Sequence, residues 1–304
     1  ENMKINFIKV PIFYGSDRPG VELGPDTMIQ NNIIDIFEKK GNIIKKIFNT
    51  NVDKYSEQEK FATSKKLKYY KGILDANKDL ANKLYETLKE GILPFVLGGD
   101  HSLGIGSIAA TSKFHNKDLA VIWIDAHTDI NTIETSPSAN IHGMPLSISL
   151  GEGNTELNNI LFNGKKINGN NVYILGARSV DDGEYGILEK HNVNVWYMND
   201  IKEKGIEACI EELLLKLKEK NTKNIHLSYD IDSLDEKLVP GTGTPEKDGM
   251  NIEQSKKLIK SIIQTKLVRS IDFVEFNPMK DINDITLKNV IKMLNVFSLE
   301  LSKL

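Results

Sequence analysis

This 304-residue sequence has only one cysteine, no long apolar run and no large excess of either charge. Its single cysteine excludes an intramolecular disulfide, and no apolar run approaches the roughly 18 residues that a membrane-spanning helix needs. Lysine and arginine number 39 against 42 acids, so the composition gives no indication of a nucleic-acid or anionic membrane partner. The first residues lack the apolar stretch and cleavage site of a secretory signal. We therefore expect a cytoplasmic protein.

Hydrophobic residues make up 40% of the chain and glycine adds 22 residues, a normal globular composition. Seven β-rich apolar runs predict strands buried on both faces: residues 5–10, 93–98, 119–125, 172–177, 193–198, 225–231 and 268–276. Helical patterns occupy residues 57–90, 102–112, 205–219, 252–264 and 284–301. This alternation predicts an α/β fold with a mainly parallel central sheet between layers of helices. No linker-like segment interrupts it, so we expect a single domain over residues 1–304.

Charged side chains follow four of the predicted strands at the point where each strand ends. In chain order they are Asp100 and His101; Asp125, His127 and Asp129; Asp230 and Asp232; and Glu275. In open α/β sheets, ligands bind beyond the carboxyl ends of the strands. Because a buried carboxylate is costly unless it is paired or bound to a metal, the pattern needs one common explanation.

A pair of metal ions accounts for these side chains. Residues two positions apart share a face along an extended chain, so the segments 125–129 and 230–232 each bring their side chains together. With His101 they supply two histidines and four carboxylates, but no thiolate. That set exceeds the needs of one tetrahedral zinc ion and suits two ions such as Mn²⁺, bridged by carboxylates at roughly 3.5–4 Å.

Other interpretations of the sequence are open at this point. The segment Gly104-Ile-Gly106-Ser-Ile-Ala109 follows a strand and opens a helix, as in dinucleotide-binding proteins, but close packing of that helix on the sheet also explains its small residues. A non-catalytic binding protein that retains the fold is a further alternative. The remaining histidines and the cysteine are interpreted as structural: His115, His191, His226 and Cys209.

Seven segments occur together in an order that is typical of one enzyme family. They are GVELGP at 20–25, GGDHSLGIGSI at 98–108, DAHTDIN at 125–131, SANIHGMP at 138–145, SYDIDSLD at 228–235, GTGTP at 241–245 and EFNP at 275–278. Through them the sequence resembles the arginase and agmatinase family, the ureohydrolases, from near residue 8 to near residue 280. The resemblance implies a single three-layer α-β-α domain.

The resemblance also implies two Mn²⁺ ions per subunit and assigns their ligands. One ion takes His101, Asp125, Asp129 and Asp230, and the other takes His127, Asp125, Asp230 and Asp232, so Asp125 and Asp230 bridge. A hydroxide that bridges the ions attacks the guanidinium carbon of the substrate and urea is released. Three residues match catalytic positions: Glu275 orients the guanidinium, Asp129 hydrogen-bonds the hydroxide, and His142 shuttles a proton to the leaving amine.

The family divides according to what the far end of the guanidino substrate carries. The matched positions are Asn131, Ser138 and Asn140 for the α-carboxylate of arginine, Asp181 and Glu184 near its α-amino group, and Thr244 in the guanidinium pocket. A site with such polar groups discriminates against a substrate that leaves them unpaired. The resemblance therefore favours hydrolysis of L-arginine to L-ornithine and urea.

A second substrate stays open because the sequence departs from the arginase pattern. Ala139 replaces the usual glycine, Ser179 stands where some arginases have aspartate, and Glu236 stands where proline is common. The segment GTGTP followed by Glu246 is at least as similar to agmatinases as to arginases. The alternative is an agmatinase, which converts agmatine to putrescine and urea, or another guanidino-acid ureohydrolase. In either case the resemblance implies a homotrimer or homohexamer.

Overall fold

An eight-stranded sheet forms the centre of the molecule in the computed structural model, which describes residues 1–304. Its strands are β1 (Lys4–Val10), β2 (Ile43–Asn49), β3 (Leu93–Gly98), β4 (Ala120–Ile124), β5 (Val172–Ala177), β6 (Asn194–Tyr197), β7 (Ile225–Asp230) and β8 (Val268–Val274). They lie in the order β2-β1-β3-β8-β7-β4-β5-β6, and every neighbouring pair is parallel. The four strands that end in charged residues, β3, β8, β7 and β4, are therefore adjacent.

Helices cover both faces of this sheet. They are α1 (Gly24–Gln30), α2 (Ile33–Lys39), α3 (Tyr70–Lys89), α4 (Gly104–Phe114), α5 (Pro145–Ser149), α6 (Asp182–Lys190), α7 (Met198–Lys204), α8 (Ile206–Glu219), α9 (Ile252–Ile263) and α10 (Ile285–Ser302). Helices α1, α2 and α7 to α10 pack on one face, and α3 to α6 pack on the other. None of the helices combines the length and the hydrophobicity that a membrane crossing requires.

The apolar strand sequences explain why the sheet is buried on both sides. Successive side chains of a strand point to opposite faces, so Phe7 and Phe95 enter the core beneath α1 and α2 while Ile8 and Val96 enter the core beneath α3 and α4. Every residue of β3, β4, β5 and β7 is buried. Parallel sheets occur in such doubly covered surroundings. The predicted α/β architecture is confirmed, and the sheet is parallel throughout.

Small residues let helix α4 approach its neighbours closely. A Cβ atom on Gly104 would lie 2.8 Å from the Trp123 ring, and one on Gly106 would lie 2.6 Å from the backbone oxygen of Asn77 in α3. Packing thus explains the glycines of this segment without a dinucleotide. The prediction that Cys209 belongs to an apolar helix face is also confirmed, since it is fully buried in the core.

Several parts of the sequence differ from the prediction, which did not include helices α1, α2, α5, α6 and α7. Strand β2 was not expected, because it is an edge strand whose seven residues are exposed or half-buried. The predicted helix over residues 57–90 is wrong for its first third, since α3 begins only at Tyr70. In that stretch the hydroxyl groups of Thr63 and Ser64 accept backbone N–H bonds, and Tyr69 has a φ of 52°. Such local side-chain bonds compete with helix formation.

Candidate metal centre and active site

Four side chains from the ends of β3, β4 and β7 form the first ligand group. It consists of His101, Asp125, Asp129 and Asp230, which are all buried and whose potential ligand atoms lie within 4.8 Å of one another. The Nδ1 atom of His101 lies 3.0 Å from Asp125 Oδ2 and 3.2 Å from an oxygen of each of the other two aspartates. One imidazole and three carboxylates thus converge on a single point.

Asp125, His127 and Asp232 form the second ligand group, beside the first. The Nδ1 atom of His127 lies 3.2 Å from Asp125 Oδ1 and 3.1 Å from Asp232 Oδ2. Asp125 therefore presents one carboxylate oxygen to each group. Asp230 belongs to the first group only, and its Oδ1 accepts a 2.9 Å hydrogen bond from the backbone N–H of Asp232. The second bridge, through Asp230, stays a prediction.

Tight turns, not extended chain, bring these side chains together. Strand β4 ends at Ile124, and Asp125 Oδ1 then accepts a 2.8 Å bond from the backbone N–H of His127. Asp230 closes β7 in the same manner, and Asp232 lies in the 3-10 turn that follows. Asp129 has a φ of 45°, in the left-handed region that side chains other than glycine rarely adopt. Aspartate favours such turns because its carboxylate bonds the backbone two residues on.

The two ligand groups carry more negative charge than nearby protein cations balance. Only histidines form ion pairs with their four aspartates, and no lysine or arginine does. Burial, with the charge of Asp125, raises the pKa of Asp129 to about 6. Burial alone lowers the pKa of His101, but its hydrogen bonds to three carboxylates outweigh burial and raise that pKa well above 6.5. A buried cluster of this kind is stable only when it binds protons or cations.

Hydrogen bonds fix the orientation of the two histidines. His101 Nε2 lies 2.7 Å from Ser228 Oγ, and that hydroxyl donates a 2.9 Å bond to the buried Asp272. His101 also stacks on Trp123, with ring centroids 3.8 Å apart, and the Trp123 indole donates a 2.9 Å bond to Asp125 Oδ2. Since the Ser228 proton is used on Asp272, His101 donates from Nε2. Nδ1 is therefore the ring nitrogen that faces the first ligand group.

A cavity of about 220 Å³ opens above the ligand groups, and no hydrophobic residue lines it. Eleven of the predicted site residues line this cavity: His127, Asp129, Asn131, Ser138, Asn140, His142, Asp181, Glu184, Asp230, Thr244 and Glu275. His101, Asp125 and Asp232 are fully buried or nearly so and do not line it. The structure thus brings all of the residues singled out in the sequence to one place.

Contacts among the predicted substrate residues hold the wall of the cavity. Asn131 Nδ2 donates a 2.8 Å bond to Asp181 Oδ2. Glu184 is buried and accepts bonds from Thr128, Ile130 and Asp181, so both of its carboxylate oxygens are in use. Burial raises the pKa of Glu184 to about 7. In the structure, Glu184 secures the loop that carries Asp129.

Glu275 and His142 meet on the opposite side of the cavity. The two side chains lie 3.1 Å apart, from His142 Nδ1 to Glu275 Oε2. Burial lowers the pKa of His142, but the adjacent Glu275 carboxylate more than compensates, and the net effect is to raise that pKa. Glu275 itself is buried and has a φ of 75°. Strained backbone of this kind clusters at functional sites.

Sequence reasoning missed several residues of the cavity. Arg18 and Ser136 line it, and Glu246 lies 3.2 Å from His127, between Oε1 and Nε2. Arg18 stands just before the GVELGP segment and Glu246 directly after GTGTP, so proximity to recognised motifs was the available signal. No local pattern shows that these distant segments meet, because the fold alone brings them together.

Comparisons with known proteins agree with this geometry. The sequence model of the Arginase family matches residues 3–298. Arginase from Staphylococcus aureus (strain COL) is 36% identical over 301 residues, which cover 96% of each chain. The crystal structure of arginase from Bacillus subtilis has a TM-score of 0.90 at 35% identity and covers 100% of this chain and 99% of its own.

A further solved structure carries a small molecule. Arginase from Entamoeba histolytica, in complex with L-ornithine, has a TM-score of 0.87 at 30% identity and covers 99% of both chains. The match of the family model over nearly the whole chain, the near full-length relatives and the two adjoining ligand groups lead to one conclusion. The chain belongs to the arginase family of binuclear-metal hydrolases.

Proposed function

We propose that this chain hydrolyses the guanidinium group of L-arginine to give L-ornithine and urea, with two Mn²⁺ ions per subunit. The observation that carries the proposal is the pair of ligand groups that share Asp125, placed beneath a wholly polar cavity. The same cavity contains side chains suited to both ends of arginine. The similarity to arginases, one of them in complex with L-ornithine, supports this substrate.

The donor set of the two ligand groups fits a pair of divalent cations. Carboxylate oxygen and imidazole nitrogen suit Mn²⁺, and the buried carboxylates have no lysine or arginine partner. The first ion would be held by His101, Asp125, Asp129 and Asp230, and the second by Asp125, His127 and Asp232, with Asp230 as the further predicted ligand. When bound, such ions lower the pKa of water so that hydroxide is available near neutral pH.

Glu275 orients the guanidinium in this proposal. Its carboxylate is buried at the cavity wall, and a planar guanidinium can donate two parallel N–H bonds to such a group. Holding the guanidinium in one plane fixes the position of the central carbon relative to the attacking hydroxide. Orientation of this kind removes much of the entropic cost of a bimolecular step.

Asp129 and His142 handle the proton. With the ions bound, Asp129 would accept a hydrogen bond from the attacking hydroxide, whose oxygen would form a bond to the guanidinium carbon. The bond from that carbon to the side-chain nitrogen of arginine then breaks, and the nitrogen needs a proton to leave as an amine. His142 supplies it, because the raised pKa of this imidazole favours its protonated form.

The charges around the cavity favour arginine over agmatine. Arg18 is the only lysine or arginine that lines it, and it provides the positive charge that an α-carboxylate needs. Asp181 provides a negative charge for the α-ammonium group. Agmatine has no carboxylate and would leave Arg18 without an anion.

We also propose a cytoplasmic location and a homotrimer or homohexamer, which the family resemblance supports.

Urea release with purified protein and Mn²⁺ tests the proposal. Arginine, agmatine, guanidinobutyrate and formiminoglutamate are offered in parallel, and we expect turnover of arginine far above the others. Arg18→Met should raise KM for arginine with little change for agmatine. Turnover of agmatine with none of arginine would assign the chain to the agmatinases instead.

A further inference from the structure

Glu246 is the acidic residue next to the second ligand group that no predicted role explains. Its Oε1 lies 3.2 Å from Nε2 of His127, on the side of the imidazole opposite the ligand atom Nδ1. Both side chains are mostly shielded from solvent, with exposed fractions of 21% for His127 and 31% for Glu246. The imidazole therefore lies between a carboxylate and the ligand group.

The two ligand histidines are supported in different ways. His101 donates to the hydroxyl of Ser228, a neutral group within the fully buried network that ends at Asp272. His127 has only the carboxylate of Glu246 on its Nε2 side. A carboxylate on the distal nitrogen fixes the tautomer of a ligand histidine and makes the other nitrogen a stronger donor.

Arg178 holds the Glu246 loop in place. Its guanidinium donates to six backbone oxygens, at Gly176, Asp232, Ser233, Leu234, Glu246 and Lys247. Two of these bonds, each 2.8 Å long, reach the backbone of the ligand Asp232 and of Glu246 itself. One side chain thus fixes the loop of a ligand and the loop of the carboxylate against each other.

We propose that Glu246 is a positioning residue for the second metal site: it orients His127 and strengthens binding of the ion held by Asp125, His127 and Asp232. The inference rests on the proposed metal pair. It deepens that proposal by making the two sites unequal, because only the histidine of the second site has a carboxylate directly on its Nε2 atom. Loss of a supporting hydrogen bond of this type weakens metal binding about 10- to 100-fold.

Equilibrium dialysis against Mn²⁺, together with electron paramagnetic resonance, tests this inference on Glu246→Ala and Glu246→Gln. In Glu246→Ala we expect one of the two ions to bind about 10- to 100-fold more weakly and the other to bind as in the wild type. At limiting Mn²⁺ the spectrum should then show isolated ions in place of a coupled pair. Glu246→Gln should lose less affinity, since its amide oxygen still accepts from Nε2.

Glu236→Gln is the matched control. Glu236 lies on the same loop, where its backbone N–H bonds to the Glu246 oxygen, and the substitution makes the same change in charge. We expect wild-type binding of both ions in this variant. Thermal unfolding of each metal-free variant shows that the fold is intact.

Three outcomes would overturn the inference. Unchanged affinity for both ions with a raised KM for arginine would make Glu246 a substrate contact, and equal weakening of both ions would make it a general support of the loop. A wild-type protein that binds fewer than two ions would overturn both this inference and the metal pair. A wild-type protein that binds two ions but does not hydrolyse arginine would overturn the proposed substrate while leaving the role of Glu246 testable and intact.

Discussion

Ala139 has a backbone conformation that its side chain disfavours. Its φ is 63°, in the left-handed region, and this residue replaces the glycine that is usual in arginases. The left-handed conformation costs a residue with a Cβ roughly 1–2 kcal/mol. Glycine avoids this cost, but its greater freedom in the unfolded chain offsets part of the gain in stability. We expect Ala139→Gly to raise the free energy of unfolding by about 0.5–1 kcal/mol.

Chemical denaturation of the two proteins measures this difference. Ala208→Gly, in the first turn of helix α8, is the control and should lower stability by up to about 1 kcal/mol, because glycine is a poor helix residue. A loss of stability in Ala139→Gly equal to that of the control would show that the loop does not strain its backbone.

His142 should affect the rate of hydrolysis and leave the metal ions in place. Removing a general acid lowers rates by about 10²–10⁴-fold, so we expect a fall of this size in kcat for His142→Ala with unchanged Mn²⁺ content. The wild-type rate should decline as the pH rises past the raised pKa of His142, because the neutral imidazole has no proton to donate. The variant should lack this decline.

Steady-state kinetics between pH 6 and about 10, with metal analysis of the same samples, checks the role of His142. His191→Ala is the control, since that histidine pairs with Glu152 outside the cavity. Loss of metal from His142→Ala would make this residue a ligand and not a proton donor.

Individual site residues were predictable from the sequence where chemistry is local, and not where it depends on distant segments. The aspartates and histidines after β3, β4 and β7 stand directly at strand ends, so the alternation of the chain was enough to group them. The contact between Glu246 and His127 joins residues 119 positions apart and has no local pattern. The turn that places Asp232 also follows from a backbone hydrogen bond to Asp230 that only the folded chain displays.

Helix α4 begins three residues after His101, so its packing against α3 supports the first ligand group. A Cβ on Gly106 would lie 2.6 Å from the backbone oxygen of Asn77, and the Gly106 N–H also donates to the Asn77 side chain. Overpacking of a tight contact costs roughly 1–3 kcal/mol. We expect Gly106→Ala to lower the free energy of unfolding by that amount.

Gly186→Ala is the matched control for this helix contact. Gly186 lies within α6, and a Cβ there would meet no atom within 4 Å. The substitution should therefore leave stability unchanged or raise it by up to about 1 kcal/mol, in line with helix propensity. Urea denaturation of both variants gives the comparison. Equal effects on the free energy of unfolding would show that the contact between α4 and α3 can accommodate a Cβ atom at Gly106.

Among the strands, those that are buried on both faces were predicted from the sequence, and the exposed edge strand was not. Strands β3, β4 and β7 are continuous apolar runs, and each was predicted within a residue of its bounds. Strand β2 contains Lys45 and Lys46 and lies at the edge, so its pattern has no buried face to reveal it. Helix α3 was predicted too long because the apolar residues before Tyr70 pack from a loop.

Protons and metal ions should compete for the same ligand side chains, so the stability of the whole protein with Mn²⁺ should depend on pH. Burial and Asp125 raise the pKa of Asp129 to about 6, and nearby carboxylates raise those of His101 and His127 well above 6.5 despite burial. These groups hold protons at low pH, and the cations must displace them. We expect the apparent affinity for Mn²⁺ to be at least about tenfold weaker at pH 6 than at pH 8.

Thermal unfolding with chelator and with a fixed Mn²⁺ concentration, at each pH, measures this linkage. The gain in Tm from Mn²⁺ should grow from pH 6 to pH 8, because a ligand that binds only the folded state stabilises it more as the ratio of its free concentration to its Kd rises. A gain that is the same at both pH values would contradict the competition between protons and metal.

The position of Trp123 allows metal binding to be followed by tryptophan fluorescence. Its indole stacks on His101 and hydrogen-bonds Asp125, whereas the only other tryptophan, Trp196, lies in β6 at the far edge of the sheet. An imidazole in contact with indole quenches fluorescence more strongly when it is charged. Loading of the ions replaces the proton on Nδ1 of His101 with a metal ion, so the emission of the unlabelled Trp196→Phe protein should change with the occupancy of the site.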